Sequence, residues 1–589
     1  MVQSPSLGAV LNRSSTPFGQ AEARFLPVLV LTVVFSFFVN LLLFVGPLYM
    51  LQIYDRVLQS RSESTLFMLT VLAGGLLTAY GAMDFIRSRL IFSAAMRFDT
   101  DLAGPAFDRL MARGAVASAD ENRATLVEID RLRDFLSGQA LLTLCDVPWA
   151  PVFLIVCFLF HPLLGVIASV GAALLFILAL VNAGSTKRTL AEANAGNRRA
   201  GEFVAAALNN MELISALGMQ SKMKSLWLQQ RQEALGWHGT AAGRGTAALS
   251  LSRFLRAALQ VAILGAGAYL VLGGEITPGV MIAASIMMGR AMAPVEQSVV
   301  HWRSYEGGRQ ARKRLRTLFE DNAPPILRTT LPEPKGHLNV SGLIGQVPHT
   351  GLAVLAGINF ELEPGETLVV LGTSGAGKSS LARLIVGFWR PRAGQIRLDG
   401  ADLRHWSPDQ LGPKMGYLPQ DVELFEGTVA RNIARFGEVD NAAILAAAQR
   451  AGAHDMILGL PEGYETQLGP NGSYVSAGQR QRIGLARALY GNPCLIILDE
   501  PNSNLDSEGD AALAEAVRGM KADKRTLVLI THKSNLLPLA DKALVLSAGK
   551  QQGFGPASEL LQPALARGSS TVYRSANTLP DKSDTMEGV

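Results

Sequence analysis

Six apolar, charge-free stretches in the first half of this 589-residue chain limit its fold more than any other feature. A helix needs roughly 20 mostly apolar residues to cross about 30 Å of hydrocarbon. Phe25 to Met50 and Ser64 to Met83 are two such stretches, and Val147 to Thr186 is long enough for two, with His161-Pro162 at the turn. Ala257 to Gly274 and Ile276 to about Met288 complete the set, parted by a tight turn at Gly273-Gly274-Glu275 and Pro278. Their grouping in pairs predicts an all-α, six-helix membrane domain. Composition agrees: charged residues make up 17%, against about a quarter in soluble domains.

Lys and Arg placement sets the expected orientation. Between spans two and three lie Arg87, Arg89, Arg97, Arg109, Arg113, Arg123, Arg131 and Arg133. Between spans four and five lie Lys187, Arg188, Arg198, Arg199, Lys222, Lys224, Arg231 and Arg244. The turns at His161 and Glu275 carry none, and only Arg56 and Arg61 dissent, so both long segments and both termini are expected in the cytoplasm. Apolar residues recur at helical spacing around Ala124 to Phe135 and Glu212 to Gly218, so the spans should continue as helices below the membrane, each segment offering a short helix to the second half. Arg290, inside the sixth stretch, is either a polar lining of a pathway or a residue that snorkels to the inner surface.

The polar, Ser-rich first 24 residues precede a run with no small-residue cleavage site, which reads as a retained anchor. Cys145, Cys157 and Cys494 fit no disulfide or metal-ligand spacing. A net charge of +5 is small for this length and gives no nucleic-acid footprint.

The second half reads as an α/β domain, β-type runs alternating with helix-type ones after a linker near Asp321 to Pro325. Its centre is Gly372-Thr373-Ser374-Gly375-Ala376-Gly377-Lys378-Ser379-Ser380, a complete phosphate-binding loop between the β-type run Glu366 to Leu371 and the helix-type run Leu381 to Val386. Glycines let successive N–H groups and the helix N-terminus face phosphate oxygens, Lys378 adds a full charge, and the Ser379 hydroxyl can ligate magnesium. Further along, Cys494 to Asp499 is an apolar strand ending in Asp499 and Glu500, at the edge where open α/β sheets bind ligands. Asp499 suits a magnesium shell and Glu500 suits polarising an attacking water. Gln420 can reach the magnesium and that water through its amide, and His532, ending the strand Thr526 to Thr531, can contact a γ-phosphate. Ser476-Ala477-Gly478-Gln479 opens a basic helix and makes a second anion site. One domain carrying two half-sites suggests that two copies close on shared ATP.

In order and spacing these residues resemble the ATP-binding cassette exporter half-transporters, from about residue 25 to about 560. In that family's terms Gly372 to Ser379 resembles the Walker A motif, Gln420 the Q-loop, Val475 to Gln479 the signature loop, and Leu495 to Asp499 Walker B. Glu500 matches the catalytic glutamate, Ser503 to Asp506 the D-loop with Ser503 and Asp506 in its polar positions, and His532 the switch histidine. Glu426 to Val429 resembles the segment laid against the coupling helices. The resemblance implies a homodimeric ATPase of the type I exporter fold. ATP and magnesium (Ser379, Gln420, Asp499) would be held by one chain, and Ser476, Ala477, Gly478 and Gln479 would be supplied by the other. The expected division is 1–24 N-terminal segment, 25–320 membrane domain, 321–336 linker, 337–563 nucleotide-binding domain and 564–589 disordered tail.

Leu48 to Val57 and Asp499 to Asp506 are similar to type I secretion exporters of Gram-negative bacteria, the PrtD-type protease exporters in particular. The short N-terminal segment, without room for a peptidase-like domain, points the same way. That resemblance implies an inner-membrane protein surrounded by lipid, an unfolded substrate with a C-terminal signal, a periplasmic adaptor and an outer-membrane channel. A lipid or drug exporter of the same architecture is the alternative, and an ATP-gated channel or regulator a more distant one; six spans exclude a soluble ATPase on nucleic acid. Two departures stand out. Ala477 occupies a position usually held by glycine, and the adenine-stacking aromatic falls on Val347, with no Tyr, Phe or Trp nearby, which predicts looser or less base-selective ATP binding.

Overall fold

The computed structural model describes residues 16–113, 119–320, 331–348 and 350–561, with 119–124 as backbone alone. The start of the N-terminal segment, the Arg123 side chain, most of the linker and the C-terminal tail lie outside the described residues. The chain divides into two compact units, one running to residue 320 and the other from residue 331.

The first unit is entirely helical. Helix α1 (Pro17–Leu42) begins before the apolar run, because Thr16 caps it by accepting the Gly19 N–H at 3.1 Å. A shorter helical stretch follows to Ser60, and left-handed Arg61 turns the chain into α2 (Glu63–Arg113). After it come α3 (Ala119–Ser137), a helix Gln139–Asp146 that runs through a short turn into α4 (Ala150–Phe160), then α5 (Pro162–Asn209), α6 (Met211–Ala216), α7 (Gln220–Leu272), α8 (Pro278–Val300) and α9 (Trp302–Glu320). Among the described residues six helical segments are long and apolar enough to cross a membrane. Helices α2, α5 and α7 hold 51, 48 and 53 residues. At about 1.5 Å per residue each runs for about 70 to 80 Å, more than twice the hydrocarbon thickness. Of the two expected short helices, the one at Glu212–Gly218 corresponds to α6, whereas Ala124–Phe135 lies inside the 19-residue α3, which packs with α1, α2 and α9. Arg290 is exposed on α8, which continues ten residues beyond it to Val300.

Two cores hold this unit. One packs Phe153, Cys157, Leu164, Leu175, Ile263 and Met287 from α4, α5, α7 and α8. The other joins the first turns of α1 to α2, α3 and α9 through Phe18, Phe98, Leu102 and Phe319. Apolar burial drives little helix association in lipid, so close approach matters more. A Cβ on Gly171 would lie 2.5 Å from Leu259 and Met292 side-chain atoms.

The turns at one end are tied by polar contacts. A π-helical turn, Ile53–Val57, presents Asp55, whose carboxylate accepts the Gly279 N–H at 2.9 Å and the Thr277 hydroxyl at 2.6 Å, capping α8. His161 Nε2 lies 3.1 Å from Glu275. Toward the other end, Arg87 is only 4% exposed and donates to Ser36 Oγ at 2.8 Å, Asp146 at 2.6 Å and Asp84 at 2.7 Å, while Asn40 donates to the same Asp146 oxygen at 3.1 Å. In the sequence Arg87 is one cation among eight; folded, it joins α1, α2 and the helix Gln139–Asp146.

The second unit is built on a ten-stranded sheet of order β5-β4-β1-β2-β10-β9-β3-β8-β7-β6. Its strands are β1 (Leu338–Gln346), β2 (Ala353–Leu362), β3 (Thr367–Gly372), β4 (Ala393–Leu398), β5 (Ala401–Asp402), β6 (Met415–Leu418), β7 (Leu495–Asp499), β8 (Thr526–Ile530), β9 (Lys542–Ser547) and β10 (Lys550–Pro556). Strands β9, β3, β8, β7 and β6 are parallel, and β7 and β8 are buried at every residue, as their continuous apolar sequences require. Helices α10 (Lys378–Ile385), α11 (Ala477–Leu489) and α12 (Ser507–Ala522) carry the motif residues.

Removing one partner of a buried ion pair strands the other, at a cost of about 3 to 5 kcal/mol. The variant Arg87→Met is expected to lower the melting temperature of the detergent-purified protein by several degrees, and the double variant Arg87→Met/Asp146→Asn to recover part of that loss. A single variant as stable as wild type would show that the cluster carries no stability.

Candidate functional site

Parallel register brings the motif residues to one edge. Val370 of β3 pairs with Ile530 of β8, and Ile530 pairs with Asp499 of β7. The segments leaving these strands, which carry the Gly372–Ser380 loop, His532 and Glu500, therefore emerge side by side at the carboxyl edge.

The loop is shaped by its glycines. A Cβ on Gly372 would sit 2.5 Å from the Leu546 carbonyl oxygen, and Gly377, at φ +96°, would place one 2.9 Å from the Val354 oxygen. Thr373, Ser374 and Gly375 are exposed at the crown, and Ala376 is buried beneath it, its N–H donating to Thr373 O at 3.1 Å. Lys378 is 6% exposed, and its Nζ donates to Gly372 O at 2.8 Å and Thr373 O at 3.1 Å, so the ammonium lies across the loop. Burial lowers its pKa, and the nearby charges of Glu500 and Asp499 oppose that shift. Ser379 and Ser380, both half-buried, follow in the first turn of α10.

Asp499 is 2% exposed, and its Oδ1 has no hydrogen-bond partner. Burial raises its pKa, while a hydrogen bond with Ser379 pulls the other way. A hard divalent cation bound by a carboxylate and a hydroxyl would satisfy this orphaned oxygen, so the residues present fit magnesium. Glu500 has φ +47°, a left-handed conformation rarely taken by a residue with a side chain. Its N–H continues the ladder to Ile530 O at 2.9 Å, and the turn aims its carboxylate at two groups. Gln420 Nε2 donates to Glu500 Oε2 at 2.9 Å, and His532 Nε2 lies 3.4 Å from Oε1. In this structure Gln420 thus meets Glu500 through its amide nitrogen, with its amide oxygen left for other partners.

The second half-site stands apart. Ser476 caps α11 in a reciprocal box: its Oγ accepts the Gln479 N–H at 3.2 Å, and its own N–H donates to Gln479 Oε1 at 2.8 Å. Ala477 takes an ordinary helical conformation with its methyl exposed, so a glycine is not required there. Gly478 is different: a Cβ would lie 3.0 Å from the Asn504 carbonyl. Asp506 caps α12 by accepting the Gly509 N–H at 2.8 Å and holds Arg482 of α11 at 3.1 Å, while the Ser503 N–H donates to Glu500 O at 3.2 Å. The Ser503–Asp506 turn therefore links the Glu500 turn to α11. The groove here is lined by Ser476, Gly478, Gln479, Asn504 and Asp506, with no residue of the Gly372–Ser380 loop among the described lining.

Sequence reasoning missed the groups that brace the Glu500 turn. Gln481, fully buried on α11, donates to Pro501 O at 3.0 Å, and the Thr531 hydroxyl donates to Asn502 at 3.1 Å. Gln481 carries no local signal, because its partner lies 20 residues on.

A six-span helical unit and a parallel-sheet P-loop unit with two separated half-sites define a membrane transporter of the ATP-binding cassette class. Residues 29–295 match the ABC transporter transmembrane region, and residues 355–503 match the ABC transporter family. The chain is 41% identical over 533 residues to the type I secretion system ATP-binding protein PrsD of Rhizobium meliloti, covering 90% of this chain and 91% of that one. It is 28% identical over 564 residues to the leukotoxin translocation ATP-binding protein LktB of Mannheimia haemolytica, covering 94% and 79%. A solved structure of a bacterial Atm1-family ABC exporter with ATP bound shares the fold, with a TM-score of 0.77 at 22% identity, covering 94% of this chain and 99% of that one. The chain belongs to the ABC transporters, in the family of type I secretion ATP-binding proteins. It is a multi-pass membrane protein that binds ATP and hydrolyses it in the service of transport.

Because the raised pKa of Asp499 means that folding penalises its charge, Asp499→Asn should stabilise the nucleotide-free protein at neutral pH. Wild type gains stability as pH falls through the folded value, so the difference should vanish at acid pH. Thermal unfolding from neutral to acid pH checks this, and an advantage independent of pH would refute it.

Proposed function

We propose that this protein is the ATP-driven inner-membrane exporter of a type I secretion system, moving an unfolded protein that bears a C-terminal signal. It works with a periplasmic adaptor and an outer-membrane channel. The observation that carries this reading is the 41% identity to a type I secretion protein along nine-tenths of both chains. The proposed boundaries are those expected from the sequence: membrane domain 25–320, linker 321–336, nucleotide-binding domain 337–563 and tail 564–589, with the nucleotide-binding domain in the cytoplasm.

In the proposed cycle two copies pair, and each ATP is shared. Gly372 to Ser380 wraps the phosphates of one nucleotide through loop and helix N–H groups, with Lys378 released from the loop carbonyls to the phosphate oxygens. Ser379, Asp499 and Gln420 are the residues that would hold magnesium, which neutralises charge on the phosphate oxygens when bound. Glu500 polarises the attacking water, Gln420 and His532 orient its carboxylate, and the second copy adds Ser476, Ala477, Gly478 and Gln479 to the same phosphates, with Ser503 and Asp506 supporting them. Closing the pair would move the segments around α3 and α6 with it and switch the pathway; hydrolysis resets it.

Removing a general base costs about 10²- to 10⁴-fold in rate. Glu500→Gln is expected to cut ATPase activity of the reconstituted protein at least 100-fold while nucleotide binding persists, and wild-type activity should change when the C-terminal segment of a secreted substrate is added. Activity that ignores such segments and responds to lipids or drugs would replace this reading with a lipid or drug exporter.

A further inference from the structure

The Gly372–Ser380 loop lies against β2, since Gly377 packs against Val354 and Leu355, and the turn between β1 and β2 leads into that strand. That turn offers Val347, whose N–H donates to Leu352 O at 2.9 Å and whose side chain is partly buried against the core. A branched aliphatic surface cannot stack on a base as an aromatic ring does.

An aromatic face is available at the other half-site. Tyr474, two residues before Ser476, is 72% exposed, a large apolar ring left in solvent beside an anion-binding loop. Its position is built into the loop. Gly469, Asn471 and Gly472 all take positive φ, at +67°, +53° and +69°, and fold the chain back on itself. The Tyr474 N–H donates to Leu468 O at 3.2 Å, Ser473 N–H to Pro470 O at 3.1 Å and Val475 N–H to Gly472 O at 3.4 Å. Val475 is buried in the core, which leaves Tyr474 outward, its ring edge resting on Gly469, where a Cβ would come within 2.9 Å of Cε2 and Cζ. The other large exposed aromatics of this unit are placed otherwise. Phe425 and Phe436 pack edge to face at 5.8 Å, and Phe388 lies beyond the C-terminal end of α10, away from the phosphate loop.

We propose that Tyr474 of one copy supplies the stacking face for the base of the nucleotide held by Gly372–Ser380 of the second copy. This rests on reading Ser476–Gln479 and Gly372–Ser380 as two halves of one shared site. Two residues span at most about 7 Å and the long tyrosine side chain adds to that reach, so a Tyr474 ring turned toward the nucleotide can meet its ribose and base while Ser476 meets the terminal phosphate. Stacking from the facing copy ties base recognition to closure: the base gains its partner when the two copies meet.

The test uses the full-length reconstituted protein. Tyr474→Leu, which keeps bulk and removes the ring, is expected to raise KM for ATP about three- to tenfold with kcat within twofold, since uniform binding is lost. Tyr474→Phe should behave as wild type, and Tyr474→Leu/Val347→Tyr should recover the wild-type KM by restoring a ring on the copy that holds the nucleotide. In Glu500→Gln protein, photolysis of 8-azido-ATP should label the peptide containing Tyr474. An unchanged KM in Tyr474→Leu overturns the proposal while the exporter reading stands. A wild-type protein without ATPase activity overturns both.

Discussion

The parallel register of three buried strands is the constraint on which the rest of the nucleotide-binding unit depends. Val370, Ile530 and Asp499 lie side by side, so the phosphate loop leaves the sheet together with a carboxylate and a histidine that follow it by more than 100 residues of chain. The strands are buried on both faces and cannot slip without moving apolar side chains into water. That rigidity is what allows two costly features at its edge: Glu500 in a left-handed conformation and Asp499 as a buried carboxylate with an unpartnered oxygen. Both are the kind of strain that persists where surrounding structure over-determines it.

In the helical unit the organising principle is different. Apolar area gives little specificity between helices in lipid, so small residues set close approach and a few polar groups set register. Gly171 does the first, while Asp55 and Arg87 do the second, each joining elements far apart in sequence. Helices of about 50 residues then carry the arrangement well beyond the hydrocarbon, ending near the short helix α6.

The two departures from the family pattern have different physical weight. At Ala477 a methyl stands exposed in the first turn of a helix with ordinary dihedral angles, and glycine's freedom has no task there. Gly478, one residue on, is held by contact with the Asn504 carbonyl. At Val347 the departure removes a π face, and the chain carries an exposed Tyr474 at its other half-site.

Much of this protein was legible in order along the chain. Charge-free runs of span length gave six helices, because a bilayer admits little else, and the loop, strand and helix around Lys378 announced themselves through glycine spacing and apolar strands. Those signals are local, and local chemistry determines them. What the linear order could not show is which distant groups meet. Arg87 looked like one more inward-facing cation, and Gln481 and Asn502 looked like ordinary polar residues. Only the tertiary structure decided that Arg87 is buried among Ser36, Asp84 and Asp146, that Gln420 and His532 converge on Glu500, and that Ser476 lies apart from the loop it is expected to serve. Each of these depends on strand register and helix packing, which are set by the summed burial of many side chains and not by any residue's neighbours in sequence.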